Sequence, residues 1–187
     1  EAIGFTTVYL PSITNLGARV IGPGKVLLQG AVTDTGSEAP NVWFRYWQVG
    51  AATTNVAGIG AQAGPCSFEI TDLPLGVLYE YLLVASNQAG VVESGAEAFT
   101  TAVIHHVSDA VGDDGNDGSS WPAALKTIAA ALVRAKDGDT ILVTNGTYNT
   151  TAQLTLDKAL TLLSVNGREA IGLGISMWPY VVPDSLT

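Results

Sequence analysis

One cysteine, Cys66, stands alone in 187 residues, so no disulfide can close within the chain. Positive charge is scarce too: 8 Lys+Arg face 17 Asp+Glu, for a formal net charge of −9. A nucleic-acid binder needs a cationic surface to displace counterions from phosphates, and an anionic membrane repels an acidic surface. Charge therefore argues against nucleic acid and anionic lipid as partners. No window approaches the roughly 18–20 apolar residues of a membrane span. The chain opens at Glu1 without a methionine, a charged n-region or an apolar h-region, which points to a removed leader or to further sequence upstream. Charged residues are only 13% against 47% hydrophobic, a balance that supports a packed core and argues against disorder. The length suits one large domain or two small ones. An acidic, Lys-poor surface fits a secreted or cell-surface protein, with a bacterial source the expectation.

What is abundant is glycine, at 21, with Thr, Val and Ala, a composition that favours strands and tight turns. Residues 1–11 read as a leader strand or linker. Residues 12–102 carry short alternating runs broken by turn signals every eight to twelve residues, the pattern of an antiparallel sandwich. Val26, Leu28, Gly30 and Val32 alternate in one strand, and Val42, Phe44 and Tyr46 in the next. The Gly/Ala/Thr-rich stretch 50–64 reads as loop and edge strand. Phe68 and Ile70 mark another strand, Tyr79, Tyr81, Leu83 and Ala85 alternate in a fourth, and Phe99 anchors the last. Asn87–Gly90 reads as a hairpin turn.

Residues 25–101 resemble a fibronectin type III module of the bacterial extracellular kind. The resemblance is carried by KVLLQGAVTD (25–34), LPLGVLYEYLLVASNQAG (73–90) and AEAFTT (96–101). It implies that Tyr79 is a corner tyrosine whose hydroxyl bonds back to the turn around Leu75.

Residues 113–148 carry a different pattern: an acidic, glycine-rich turn, one amphipathic helix, then a strand opened by Gly-Asp-Thr. That order suits the entrance to a right-handed parallel β-helix, whose first rung must be covered. Residues 103–108 form a short strand crossing into this unit. The helix is expected over Pro122–Lys136, capped by Ser120, with Leu125, Ile128, Ala129 and Leu132 in one apolar stripe and Gly138 as the stop. Strands follow at Thr140–Thr144, around Leu154–Leu156 and at Ala159–Val165. Residues 103–167 resemble the N-terminal cap and first rungs of pectate-lyase-like β-helix proteins, through NDGSSW (116–121), LKTIAAAL (125–132), GDTILV (138–143), GTY (146–148) and LTLDKALTLLSV (154–165). Such caps precede polysaccharide lyases, adhesins and surface proteins alike. The residues at 168–187 lose the rung pattern and read as a truncated or frame-altered tail, or as a cover over the open end.

The expected fold is therefore mainly β: a fibronectin-III-like sandwich followed by a truncated right-handed parallel β-helix with one N-terminal capping α-helix.

Few constellations carry chemistry. Asp109, Asp113, Asp114, Asn116 and Asp117 place hard oxygen donors at short spacing, which suits Ca²⁺ as the candidate ion. The spacing is not that of an EF-hand, and the alternative is a solvated turn stabilised by local bonds. His105 and His106 are adjacent and point to opposite faces of a strand, so they read as packing or junction residues. Cys66 reads as a small buried hydrophobe, and no G-x-S-x-G is present. The β-helix resemblance implies catalysis by a basic residue and Ca²⁺ on middle rungs, and neither Lys158 nor Arg168 has acidic partners at matching spacing. No catalytic residue is nominated. Asn145-Gly-Thr147 and Asn149-Thr-Thr151 match glycosylation sequons, which signify only in a eukaryotic secretory host, and the turn reading is favoured.

In the sandwich, inward Val42, Phe44 and Tyr46 leave Trp43 and Trp47 outward, and inward Tyr79, Tyr81 and Leu83 leave Leu82 and Val84 outward. This apolar patch suits docking against a neighbouring domain of the same parent chain, or stacking on the sugar rings of a polysaccharide. A shift of register would place the indoles inside instead. The functional expectation is a non-catalytic spacer and adhesion segment of a larger protein that contacts carbohydrate. Its alternative is the accessory N-terminal region of a polysaccharide lyase or related hydrolase whose active rungs lie beyond residue 187.

Overall fold

The computed structural model describes residues 7–148 and 154–165 and the backbone of 171–173. The chain divides into two compact units, Glu1–Val103 and Ile104–Thr187. Among the described residues no helix is long and apolar enough to cross a membrane.

The first unit contains β1 (Ser12–Gly22), β2 (Lys25–Asp34), β3 (Asn41–Gln48), β4 (Asn55–Ala61), β5 (Pro65–Ile70), β6 (Leu78–Asn87), β7 (Gly90–Glu93) and β8 (Glu97–Thr100). A three-stranded sheet, β1-β2-β5, faces a five-stranded one, β4-β3-β6-β7, with β8 also on β6. The pairings between these strands are antiparallel. This is an antiparallel β-sandwich of two sheets. Alternation builds its core: Val26, Leu28 and Val32 from β2, Val42 and Phe44 from β3, and Tyr79, Tyr81, Leu83 and Ala85 from β6 are buried together. Burial of each large apolar side chain contributes about 1.5–3 kcal/mol. Tyr79 stacks on Phe99 with ring centroids 5.5 Å apart.

The 50–64 stretch is loop and edge strand as expected: β4 pairs along β3 at the sheet edge, with one register shift at Val42/Trp43. One local feature differs from expectation. The turn around Leu75 is tied by Thr101 rather than by the corner residue Tyr79. Thr101 Oγ1 donates to the Pro74 carbonyl at 2.6 Å and accepts from the Val77 N–H at 2.8 Å. Thr101 is buried, so both bonds are made out of water, where a hydroxyl must be satisfied. Tyr79 instead commits its ring to the core.

The second unit contains β9 (Ile104–Val107), α1 (Ile128–Arg134), β10 (Thr140–Val143), β11 (Gly146–Tyr148), β12 (Thr161–Ser164) and β13 (Ile171–Leu173). Strands β9, β10 and β12 form one parallel sheet in which Ile104, Thr140 and Thr161 share a register. Strands β11 and β13 form a second parallel pair. Val107, Leu125, Ile128, Ala131, Leu132, Ile141, Val143 and Tyr148 make this unit's core.

The helix is shorter than the expected Pro122–Lys136. It is 7 residues long, its cap is Thr127 rather than Ser120, and its buried face is Ile128, Ala131 and Leu132, leaving Ala129 exposed. The reason lies at the free edge of β9. Leu125 pairs with Val107 as a parallel bridge, and its N–H and carbonyl bond to His106 and Ser108 at 2.9 and 2.8 Å. His106 N–H donates to the Gly118 carbonyl at 2.8 Å. A strand edge needs partners, and this demand holds residues 118–125 out of the helix. The expected strand around Leu154–Leu156 is irregular, whereas Thr161–Ser164 lies within the expected Ala159–Val165. Residues 1–6 of the leader, the sequon at Asn149, Arg168, and the 168–187 tail apart from the 171–173 backbone lie outside the described residues.

Candidate functional site

The acidic turn is built from local bonds. Asp114 Oδ1 accepts from the Lys126 and Thr127 N–H groups at 2.9 and 2.8 Å, and its Oδ2 accepts from Thr127 Oγ1 at 2.9 Å. Thr127 Oγ1 in turn accepts from the Ala130 N–H at 3.1 Å, capping α1. Asp114 thus orients the cap and places negative charge beside the helix N-terminus. Asp113 Oδ1 accepts from Gly115 N–H, and Asp117 Oδ1 from Ser119 N–H, each two residues on. The bond from the Ser119 backbone holds the Asp117 carboxyl below the usual carboxylate value. Asn116 Nδ2 donates to the Ala124 carbonyl, and Asp109 lies 3.9 Å from Lys126 Nζ. These residues share one loop without converging: among the described residues no three His, Cys, Asp or Glu groups gather as metal ligands.

Gly112 is required where the loop turns. A Cβ there would collide with the carbonyl oxygens of Ser108 and Leu125.

The two histidines separate as adjacent strand residues should. His105 is buried, with Nε2 3.1 Å from Asp139 Oδ2, and the same oxygen accepts from the Lys136 N–H at 2.8 Å. His106 Nδ1 sits 3.0 Å from the Gly118 carbonyl, and its ring meets Trp121 edge-on at 4.6 Å. A carbonyl only accepts, so Nδ1 carries the proton. Lys158 Nζ donates to the Leu132 carbonyl at 2.7 Å, satisfying a carbonyl of the last helical turn. Tyr148 Oη accepts from the Asp109 N–H at 3.0 Å and lies 3.1 Å from Thr144 Oγ1, joining the turn to the strands.

On the sandwich, Val42 and Phe44 are buried, so Trp43, Arg45 and Trp47 share the outer face of β3. The register sets Trp43 opposite Val84, Arg45 opposite Leu82 and Trp47 opposite Glu80. Leu82 and Val84 are not an exposed patch: they are 8% and 1% accessible. The physical reason is the register, which lays long β3 side chains beside two short aliphatic ones. Trp47 Nε1 donates to Glu80 Oε2 at 3.1 Å, and Arg45 Nη2 to Glu93 Oε2 at 2.9 Å. Beside them runs an open groove of ≈ 570 Å³ lined by Arg45, Trp47, Ala51, Thr54 and Val56.

Elsewhere in the sandwich, Tyr81 donates to Glu97 Oε2 at 3.0 Å, and burial followed by that carboxylate pushes the phenol well above its usual value. Burial also raises the Cys66 thiol, which disfavours the reactive thiolate.

No family model matches the chain, and no curated protein does. One similar solved structure is the sensor domain of the anti-sigma factor RsgI4 from Pseudobacteroides cellulosolvens. It is 19% identical with TM-score 0.41, and the match covers 49% of this chain and 93% of that one. Another is the fibronectin type-III domain of human fibronectin type III domain containing protein 3, at 16% identity and TM-score 0.37. That match covers 54% of this chain and 92% of the other.

The sequence reading singled out the indoles but not Arg45, Glu80, Glu93, Thr54 or Val56. One signal was legible: Arg45 alternates between Trp43 and Trp47, so all three share a face. The carboxylate partners depend on cross-strand register and had no such signal.

Proposed function

We propose that this chain is a non-catalytic module of a secreted or cell-surface multidomain protein, serving as a spacer and adhesion segment that contacts carbohydrate. The observation that carries this reading is the engagement of the second unit's polar groups in construction. Asp114 holds Thr127, the cap of α1, the 118–125 segment bonds to the free edge of β9, and Tyr148 joins turn to strand. Side chains used in this way support a cover over the start of a strand stack. The parallel pairings of β9 with β10, β10 with β12 and β11 with β13 support reading that stack as the first coils of a right-handed β-helix.

The same parallel ladders favour one second reading, the accessory N-terminal region of a polysaccharide lyase or hydrolase with its catalytic rungs further along. Incubation with polygalacturonate of this chain, and of a longer parent chain carrying the rungs beyond residue 187, read by ultraviolet absorbance of unsaturated uronides, tests the choice. The non-catalytic reading expects no product from either, and the accessory reading expects product from the longer chain alone. Product released by this chain overturns both.

A further inference from the structure

We propose that the groove between Trp47 on β3 and the segment 51–56, which runs from the β3–β4 connection into β4, binds neutral pyranose polysaccharide, an inference that rests on the adhesion function proposed above. A pyranose ring presents an apolar C–H face and a rim of hydroxyls. A site for it needs a flat apolar platform, a second apolar wall and polar groups beside both. The groove brings these together. Trp47 supplies the platform, and its bond to Glu80 Oε2 at 3.1 Å fixes the indole before any ligand arrives. A ring already held in place loses less conformational freedom on binding than a free one. Val56 supplies the second wall and is 66% exposed, an isopropyl group standing in water on an edge strand. Thr54 adds a hydroxyl that can donate and accept. Arg45 adds a guanidinium with five N–H donors, held by Glu93 at 2.9 Å and still 36% exposed.

Size and charge select the ligand. The volume of ≈ 570 Å³ lies inside the roughly 300–1,000 Å³ of small-ligand sites, and the open form suits a polymer passing through. Among the described residues, the one cation lining the groove is already paired to Glu93, and Glu80 adds a second carboxylate to the same face. The whole chain carries −9. A uronate or sulfated polymer meets repulsion here, whereas a neutral glycan meets hydrogen-bond partners without a charge penalty. One platform and one wall give weak binding, with Kd between about 1 µM and 1 mM.

The test is affinity electrophoresis of the full chain in gels containing soluble β-glucan, galactomannan or polygalacturonate, followed by calorimetry on any retarding polymer. The expected result is retardation by β-glucan or galactomannan, none by polygalacturonate, and at least tenfold weaker binding in Trp47→Ala. Val56→Glu serves as the second variant. Its side chain is exposed, so it should melt like the parent while losing binding at least tenfold. Retardation by neither neutral polymer overturns the proposal, as does retardation by polygalacturonate alone. Neutral binding that survives both substitutions overturns the groove as its location, and leaves the outer indole face to a protein neighbour. Each of these failures leaves the non-catalytic reading standing, because uronide release is measured separately.

Discussion

Asp114→Ala is the substitution that asks most of the second unit. It removes acceptors from the Lys126 N–H, the Thr127 N–H and Thr127 Oγ1, which lie at 2.9, 2.8 and 2.9 Å. A cap substitution alone costs about 0.5–2 kcal/mol. Each bond to a charged acceptor contributes about 1.5–3 kcal/mol when dry, and much less when water can replace it. Asp114 is exposed, so the bonds belong at the low end, and Thr127 keeps its own bond to Ala130. The expected loss is about 2 kcal/mol. Asp114→Asn keeps one oxygen acceptor and should cost about half as much. Urea denaturation of the three proteins measures both values, and an unchanged slope would assign the difference to stability rather than to a different unfolded state. An Asp114→Ala midpoint within about 0.5 kcal/mol of the parent refutes the reasoning, since surface changes away from caps fall in that range. Saturating calcium supplies the contrast. Asp114 acting as cap predicts no rise in midpoint, whereas a calcium site in this loop must raise it by mass action.

Two further outcomes follow from single side chains. Tyr148→Phe removes a buried hydroxyl that accepts from the Asp109 N–H at 3.0 Å, and thermal unfolding should register a loss of about 1–2 kcal/mol. Burial and Glu97 hold the Tyr81 phenol above the ordinary 10.0, and Tyr46 and Cys66 shift in the same direction. A raised folded value gives stability that is complete below the unfolded value and is lost as pH rises through the folded one. Denaturation midpoints should therefore fall above about pH 10, less steeply in Tyr81→Phe, and an equal fall in both proteins would contradict the assignment.

Much of the sandwich was legible because alternate residues of β2 and β6 face the core. Val26, Leu28 and Val32, and then Tyr79, Tyr81, Leu83 and Ala85, alternate without interruption. Strand β1 gave no such signal. Its register shifts at Asn15/Gly17 and Val20/Gly22 break the period, and both faces are half-buried. The helix was misjudged through Leu125, whose apolar spacing fits a helical stripe although its backbone serves the edge of β9. Periodicity reports where a side chain is buried but not which backbone group its neighbours need. The candidate site followed the same division. The indoles announced themselves by type and alternation, whereas Leu82 and Val84 are covered because of what stands across the strand pair. Asp114 was visible as an acid near a helix start, but its part in the cap depended on folding the loop back on a residue twelve positions along.

Backbone hydrogen exchange at His106, Ser108 and Leu125 tests most directly whether the 118–125 segment closes the first strand of the parallel sheet. Those amides donate to Gly118, Leu125 and His106 carbonyls at 2.8, 2.8 and 2.9 Å. The account predicts protection comparable to that of the β10 amides, lost together in Gly112→Ala, where a Cβ drives the loop off Ser108 and Leu125. Exchange of these three amides at the rate of exposed loop residues, with β10 still protected, would contradict it.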